Sequence, residues 1–191
     1  IEAGLLISGD DIPVAYDRFR DRVMFPIRDP RGRVIAFGGR ALKPDAPAKY
    51  LNSPETPLFH KGQVLYNHDK ARAAAHAEGR IVAVEGYMDV IAVSMAGVSE
   101  VVAPLGTALT EEQLMLLWKS AAEPVLCFDG DAAGIKAAHR ALDLALPLLK
   151  PGYSLSFALL PEGKDPDDLL KSEGAHALKA VLQQTQALSD M

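Results

Sequence analysis

From Arg80 onward the chain alternates short apolar runs with stretches of helical periodicity. Ile81-Val82-Ala83-Val84, Val101-Val102-Ala103, Val125-Leu126-Cys127-Phe128 and Leu155-Ser156-Phe157-Ala158-Leu159 have the pattern of strands buried on both faces. Between them, a helix after Glu85-Gly86 reaches Gly97, a C-cap residue. Thr110 with Gln113 forms a capping-box pattern opening a helix through Lys119. Ile135, Ala138, Leu142, Ala145 and Leu149 recur at alternating three- and four-residue spacing, which predicts one apolar helix face. Repeated strand–helix units predict a parallel sheet with helices on both faces. Residues 174–188 predict one more helix.

Before Arg80 the period is different. Residues 11–20 read as a helix, with Pro13 tolerated in its first turn. Arg22-Val23-Met24-Phe25-Pro26-Ile27 and Arg33-Val34-Ile35-Ala36-Phe37 flank Asp29-Pro30-Arg31-Gly32, which predicts a β-hairpin closed by a type I turn. Pro26 belongs on an edge or at a bulge. Residues 41–63, rich in Pro, Lys, Asn and Ser, form a long irregular stretch of the kind that is functional or mobile. A helix over 69–78 leads to Gly79. The chain thus divides into a small α+β module over 1–79, an α/β module over 80–172, and the start of a helical subdomain over 173–191.

The 191 residues suffice for a sizeable core. The single cysteine, Cys127, allows no internal disulfide, and no Cys pair offers a zinc site. A reducing, cytoplasmic setting is expected. No apolar run of membrane-spanning length and no signal peptide appears. The chain opens at Ile1 without a methionine, as a piece of a longer protein would.

The net charge of −5 conceals an asymmetry. Residues 18–72 hold 12 Lys and Arg against 5 Asp and Glu, a net of +7, whereas residues 81–191 hold 7 against 15, a net of −8. A basic stretch followed by an acidic one suits a polyanion held beside a metal site, although two ordinary solvated surfaces read the same way.

Three acidic clusters each follow an apolar run: Glu85-Gly86-Tyr87-Met88-Asp89, Asp129-Gly130-Asp131 and Asp165-Pro166-Asp167-Asp168. In open α/β sheets the carboxyl ends of the strands face the ligand crevice. Carboxylates converging there repel one another unless a hard cation joins them. Singly, each cluster also reads as helix capping: Glu85 and Asp89 as helix-start acids, Asp131 as an N-cap, Asp165-Pro166 as N-cap and first helical residue. Recurrence at several strand ends is what favours a Mg²⁺ site for phosphoryl chemistry. The basic candidates are Arg18, Arg20, Arg40, Lys49 and Lys61, with Asn52 between, and Gly38-Gly39 permits close backbone approach to a ligand. The five histidines lack metal-ligand spacing, and neither a P-loop, a dinucleotide fingerprint nor a nucleophile elbow is present.

The segments Val84-Glu85-Gly86-Tyr87-Met88-Asp89-Val90, Leu105-Gly106-Thr107-Ala108-Leu109-Thr110, Phe128-Asp129-Gly130-Asp131-Ala132-Ala133-Gly134 and Gly163-Lys164-Asp165-Pro166-Asp167-Asp168 closely resemble the Toprim module of bacterial DNA primase, a module shared with topoisomerases. Arg18-Phe19-Arg20, Val23 to Asp29, Phe37-Gly38-Gly39-Arg40, Lys49 to Thr56 and Phe59-His60-Lys61-Gly62 also resemble primase. The Lys49–Thr56 stretch, the Tyr87-Met88-Asp89 continuation and Ala133 in place of a third Asp favour primase over topoisomerase. The resemblance implies a Toprim-type parallel sheet preceded by a smaller α+β subdomain. It also implies RNA primer synthesis on single-stranded DNA, from nucleoside triphosphates, with release of pyrophosphate. By it, Glu85, Asp129, Asp131 and Asp165 bind divalent metal, Mg²⁺ or Mn²⁺ in a two-metal site, with Asp89 and Asp167 supporting. Glu85, Asp129 and Asp131 are then the catalytic acids. Arg18, Arg20, Arg40, Lys49, Asn52 and Lys61 engage template or nucleotide. Zinc belongs to an N-terminal domain, and the replicative helicase to a C-terminal region, that this sequence does not include. The rival expectations are a Toprim nuclease or topoisomerase-like chemistry, and a single-strand-binding piece without catalysis.

Overall fold

The computed structural model describes residues 2–106 and 108–191; Ile1, and Thr107 within the quoted Leu105–Thr110 motif, lie outside the described residues. Two layers of different logic meet along one edge.

The first is antiparallel. Strands β3 (Arg22–Arg28), β4 (Val34–Ala41) and β5 (Tyr50–Asn52) form a three-stranded sheet in that order. The hairpin is as predicted: Gly32 N–H donates to Asp29 O at 2.9 Å, and Gly32 takes φ +80°, the left-handed region open to glycine. Pro26 sits on the edge strand β3, next to a register shift between Ile27 and Arg28. Residues 11–20 do not form the predicted helix. Ile12 N–H closes a turn onto Gly9 O at 3.0 Å, and β2 (Tyr16–Asp17) pairs with β1 (Leu6–Ile7). The periodic apolar residues there form no buried face, so tertiary pairing overrides the weak helical pattern. The stretch 41–63 is less irregular than its composition suggests, since it contains β5 and a 3₁₀ turn over Lys61–Gln63.

The second layer begins with α1 (His68–Glu78), ended by Gly79 at φ +64°. There follow β6 (Val82–Ala83), α2 (Tyr87–Met95), β7 (Val101–Val102), α3 (Glu111–Ser120), β8 (Val125–Gly130), α4 (Ala132–Ala145), β9 (Ser156–Glu162), α5 (Pro166–Gln183) and β10 (Gln186–Ala187). The sheet order is β10-β9-β8-β6-β7, parallel except for β10. Alternate strand residues enter opposite cores. Ala83, Val102, Leu126 and Phe157 meet α1, α3 and α4, while Val82, Val101, Cys127 and Ala158 meet α2 and α5. This two-sided burial is why the strands read as continuous apolar runs.

Two details of the helices differ from expectation. Of the predicted α4 face, Ala138 and Ala145 are buried and Leu142 and Leu149 pack against the core, with Leu149 beyond the helix, but Ile135 is 46% exposed and Ala141 is buried in addition. The last helix starts at Pro166 and breaks at Gly174 (φ +83°), and its second half buries Leu178 and Leu182 against the sheet. Gln186–Ala187 then adds an antiparallel edge to β9.

The crevice follows from topology. The helix after β6 lies on one face and the helix after the adjacent β8 lies on the other. The carboxyl ends of β6 and β8 are therefore the switch point of the sheet, the place where open α/β sheets bind ligands.

Candidate active site

Glu85 follows β6 and Asp129 ends β8, so adjacent parallel strands deliver the two acids side by side. Asp129 N–H donates to Glu85 Oε1 at 3.3 Å. Two glycines allow this approach. A Cβ on Gly134 would stand 2.1 Å from Asp129 O, so only a glycine lets the start of α4 lie on the strand end. A Cβ on Gly130 would stand 2.0 Å from Pro161 O, where β8 and β9 close on each other.

One cleft of about 370 Å³ collects Glu85, Asp89, Asp129, Asp165 and Asp167. Facing them across it are Arg40, Lys49, Tyr50 and Asn52 of the antiparallel sheet. Asp89 Oδ2 accepts from Gly86 N–H at 2.9 Å, which holds it in the first turn of α2. Asp165 caps α5, its Oδ1 accepting from Asp168 N–H at 2.7 Å, and Asp167 pairs with Lys171. Burial, reinforced by Glu85, Asp89, Asp165 and Asp131, raises the Asp129 carboxyl to about 7. Burial likewise raises Asp89 to about 7, with Asp165, Glu85 and Asp167 adding to it and the Gly86 N–H opposing it.

Not every residue predicted for the site stands in this cleft. Asp131 is the N-cap of α4, its Oδ1 accepting from Ala133 N–H at 2.9 Å and Gly134 N–H at 2.8 Å, and it does not line the cleft. Arg18 donates to Asn52 O at 3.2 and 3.0 Å and so braces β5. Arg20 lies 4.8 Å over the Tyr16 ring, in a separate concavity with Arg22 and Lys43. Lys61 sits in the 3₁₀ turn, its carbonyl accepting from Gln113 Nε2 at 2.9 Å. Conversely, Tyr50, Tyr87, Met88 and Gly106 line the cleft although sequence reasoning gave them no role there. For Tyr50 a signal existed, since it lies between Lys49 and Asn52 in the chain.

Tyr87 is the joint between the layers. At the start of α2, it stacks on Phe25 at 4.7 Å between ring centroids and meets Tyr50 and Tyr66 edge-on at 5.5 and 5.7 Å. Asn52 Nδ2 donates to Leu105 O at 3.0 Å, tying β5 to the loop after β7. Among the described residues the Tyr87 hydroxyl and Asn52 Oδ1 are buried with no partner. Such an aromatic cluster stabilises by about 0.5–1.5 kcal/mol per pair beyond the area it buries.

The donor set is all hard oxygen, with neither imidazole nor thiolate lining the cleft, which fits Mg²⁺ or Mn²⁺ rather than a softer metal. Among the described residues no three His, Cys, Asp or Glu side chains stand close enough to enclose a cation. Asp89 and Asp165 are turned onto backbone N–H groups. Sites for Mg²⁺ use one or two carboxylates and complete the shell with water and substrate phosphate.

A parallel sheet presenting carboxylates at its switch point, opposed by a basic antiparallel sheet, is a Toprim-type arrangement. Two family models match: "DNA primase catalytic core, N-terminal domain" over residues 1–72 and "Toprim-like" over residues 82–170. The chain is 54% identical to the DNA primase of Pseudomonas aeruginosa over 191 residues, all of this chain and 29% of that protein. It superposes on the crystal structure of a DNA primase domain from the same organism with a TM-score of 0.92, at 54% identity, covering 98% of this chain and 59% of that one. A primase catalytic domain bound to single-stranded DNA gives a TM-score of 0.90 at 49% identity, covering 99% and 58%. The chain belongs to the bacterial DNA primase family and corresponds to part of its catalytic core. It spans less than a third of the length of its curated Pseudomonas relative. Among the described residues no helix is long and apolar enough to cross a membrane.

Proposed function

We propose that this chain is the part of a primase that joins ribonucleotides into an RNA primer on a single-stranded DNA template. The observation that carries the reading is the single cleft with carboxylates on one wall and Arg40 and Lys49 on the other. A relative's catalytic domain was solved bound to single-stranded DNA, and the basic surface here suits the same ligand. Arg40 and Lys49 also line a neighbouring concavity with Lys43, which in turn lines the one with Arg18, Arg20 and Arg22. These cations lead outward from the cleft like a track for phosphates, with Tyr50 and Tyr16, 43% and 39% exposed, available for base stacking.

Within the cleft, the Arg40 fork and the Lys49 ammonium hold the triphosphate of the incoming nucleotide. Glu85, Asp129 and Asp165, with Asp131 beside them and Asp89 and Asp167 in support, would hold divalent cations, which would supply acidification of the attacking hydroxyl and neutralisation of the leaving oxygens. The 3′-oxygen bonds to the α-phosphorus, the α–β bridging bond breaks, and pyrophosphate leaves with the electron pair while the hydroxyl proton passes to solvent. Glu85 and Asp129 orient the reacting hydroxyl, and the Tyr87–Asn52 joint keeps the two walls at working distance. Zinc binding and helicase binding, which the primase resemblance also implies, fall to neither wall of this cleft.

The test uses a longer primase core carrying this sequence, incubated with single-stranded DNA, Mg²⁺ and labelled ribonucleotides. Labelled RNA that forms only with template and divalent cation is the expected product. Cleavage of the DNA without nucleotides would replace this reading with a hydrolytic one.

A further inference from the structure

Arg40 and Lys49 face a wall of carboxylates, yet among the described residues neither forms an ion pair with one. Opposite charges across a partly buried cleft attract, so something holds the two cations back. What both of them meet is the Tyr50 ring. The Lys49 ammonium lies 5.6 Å and the Arg40 guanidinium carbon 5.9 Å from its centre. Arg40 is the cross-strand partner of Tyr50 in the β4–β5 ladder, and Ala41 N–H donates to Lys49 O at 2.9 Å. The same pair of strands thus brings both cations to the ring. The ring is itself fixed from behind, since it meets Tyr87 edge-on at 5.5 Å and Tyr87 stacks on Phe25. Burial raises the Tyr50 hydroxyl against the pull of Arg40, and Asp89, Asp165 and Asp167 add to the rise, so the acids across the cleft act on this side chain too.

A carboxylate partner would neutralise a cation and occupy its donors. An aromatic face attracts a cation through its quadrupole and leaves the N–H groups free for phosphate oxygens. Both side chains are long and flexible, so without such a partner they spread over many rotamers. We infer that Tyr50 is the positioning residue of the basic wall: its ring gathers Arg40 and Lys49 into one clamp, aimed at phosphate and kept off the acids. This rests on the primer-synthesis reading, in which that clamp holds the triphosphate, and it gives Tyr50 a role distinct from stacking on a base.

Inorganic tripolyphosphate with Mg²⁺ is the probe, because it carries phosphates and neither base nor sugar, and calorimetric titration of the chain as it stands is the readout. Tyr50→Leu should weaken binding ~10-fold, and Tyr50→Phe, which keeps the ring, by no more than ~2-fold. Lys49→Ala should cost ~10-fold in the unsubstituted chain and ~3-fold or less in the Tyr50→Leu background, because groups that act as a unit are not additive. Should Tyr50→Leu melt abnormally, Tyr50→pentafluorophenylalanine carries the test: it keeps the ring's shape and reverses its quadrupole, so it should weaken the probe, which a role in packing alone would not produce. Strictly additive losses, an equal loss in Tyr50→Phe and Tyr50→Leu, or normal probe binding by Tyr50→Leu while Arg40→Ala and Lys49→Ala weaken it, overturns the inference and leaves the primer-synthesis reading standing. A Tyr50→Leu defect confined to single-stranded DNA also overturns it and makes the ring a stacking platform. If neither Arg40→Ala nor Lys49→Ala alters the affinity, or the unsubstituted chain does not bind the probe, the triphosphate site of the primer-synthesis reading falls and the clamp falls with it.

Discussion

Glu85 and Asp129 stand on neighbouring parallel strands, each delivered by its own strand–helix unit, whereas Arg40 and Lys49 ride on an antiparallel ladder. The acidic wall is rigid for a local reason: each acid ends a buried strand or starts a helix, and glycine-dependent backbone contacts fix its place. The basic wall is placed by contacts made far along the chain, chiefly Tyr87 to Phe25 and Asn52 to Leu105. One wall is therefore built to crowd charge, and the other to be held against it.

If the acidic wall does the chemistry, its removal should have the largest effect. In a longer primase core, Asp129→Asn should slow primer synthesis by ~10²-fold or more, the scale of a lost acid–base or charge-positioning group. The melting curve should not fall, since the variant relieves a carboxyl raised to about 7 by burial and neighbouring acids. Primer synthesis at the normal rate would mean the cleft is not catalytic.

Next is the device that assembles that wall. Gly130→Ala places a Cβ against Pro161 O and Leu160 O, at 2.0 and 2.4 Å if nothing moves. Overpacking of this kind costs about 1–3 kcal/mol, and here the strain falls on backbone rather than on a side chain that can swing away. Thermal melts of the chain should show the loss, with activity falling alongside as Asp129 shifts. The acidic wall was largely legible in the sequence, because each acid is adjacent to the apolar run or cap that positions it. Its switch point is not visible in any one segment, since it depends on β8 pairing with β6 rather than with β7. The basic wall was legible in composition but not in placement. Arg18 and Arg20 resemble Arg40 on paper, yet Arg18 braces Asn52 O and Arg20 covers Tyr16. The failed helix over 11–20 belongs to the same part of the chain, where long-range pairing decides conformation.

On the basic wall, Lys49→Ala should raise the KM for ribonucleotide ~10-fold and leave the melting temperature almost unchanged, since the Lys49 side chain is exposed, its ammonium 5.6 Å from the centre of the Tyr50 ring. The effect should shrink as salt rises. A fall in kcat at constant KM would assign Lys49 to the reaction itself rather than to substrate holding.

The contrast between the walls also predicts a pH dependence. Asp89 and Asp129 titrate near 7 in the folded chain against an ordinary 3.8, so the folded state binds more protons between those values. Stability that is complete below about pH 4 is therefore lost as pH rises through 7. Without divalent cation the chain should melt at a lower temperature at pH 8 than at pH 5, with roughly 2–4 °C for each kcal/mol involved. Mg²⁺ should restore more at pH 8 than at pH 5. A melting temperature that climbs from pH 5 to pH 8 without metal would show that the acids do not crowd one another.

At Asp131 capping and metal binding compete as explanations. Its Oδ1 accepts two N–H groups at the start of α4, while its charge is felt by Asp129. Asparagine caps helices about as well as aspartate, so Asp131→Asn should move the melting curve by no more than about 0.5 kcal/mol, whereas Asp131→Ala should cost about 0.5–2 kcal/mol. The two variants separate what one alone confounds. If Asp131 contributes its second oxygen to the metal site, Asp131→Asn slows primer synthesis while the melt stays put, and Asp131→Ala slows it no further than its extra instability explains. If Asp131→Asn works at full speed, the residue is a cap, and the acidic wall consists of the residues that line the cleft.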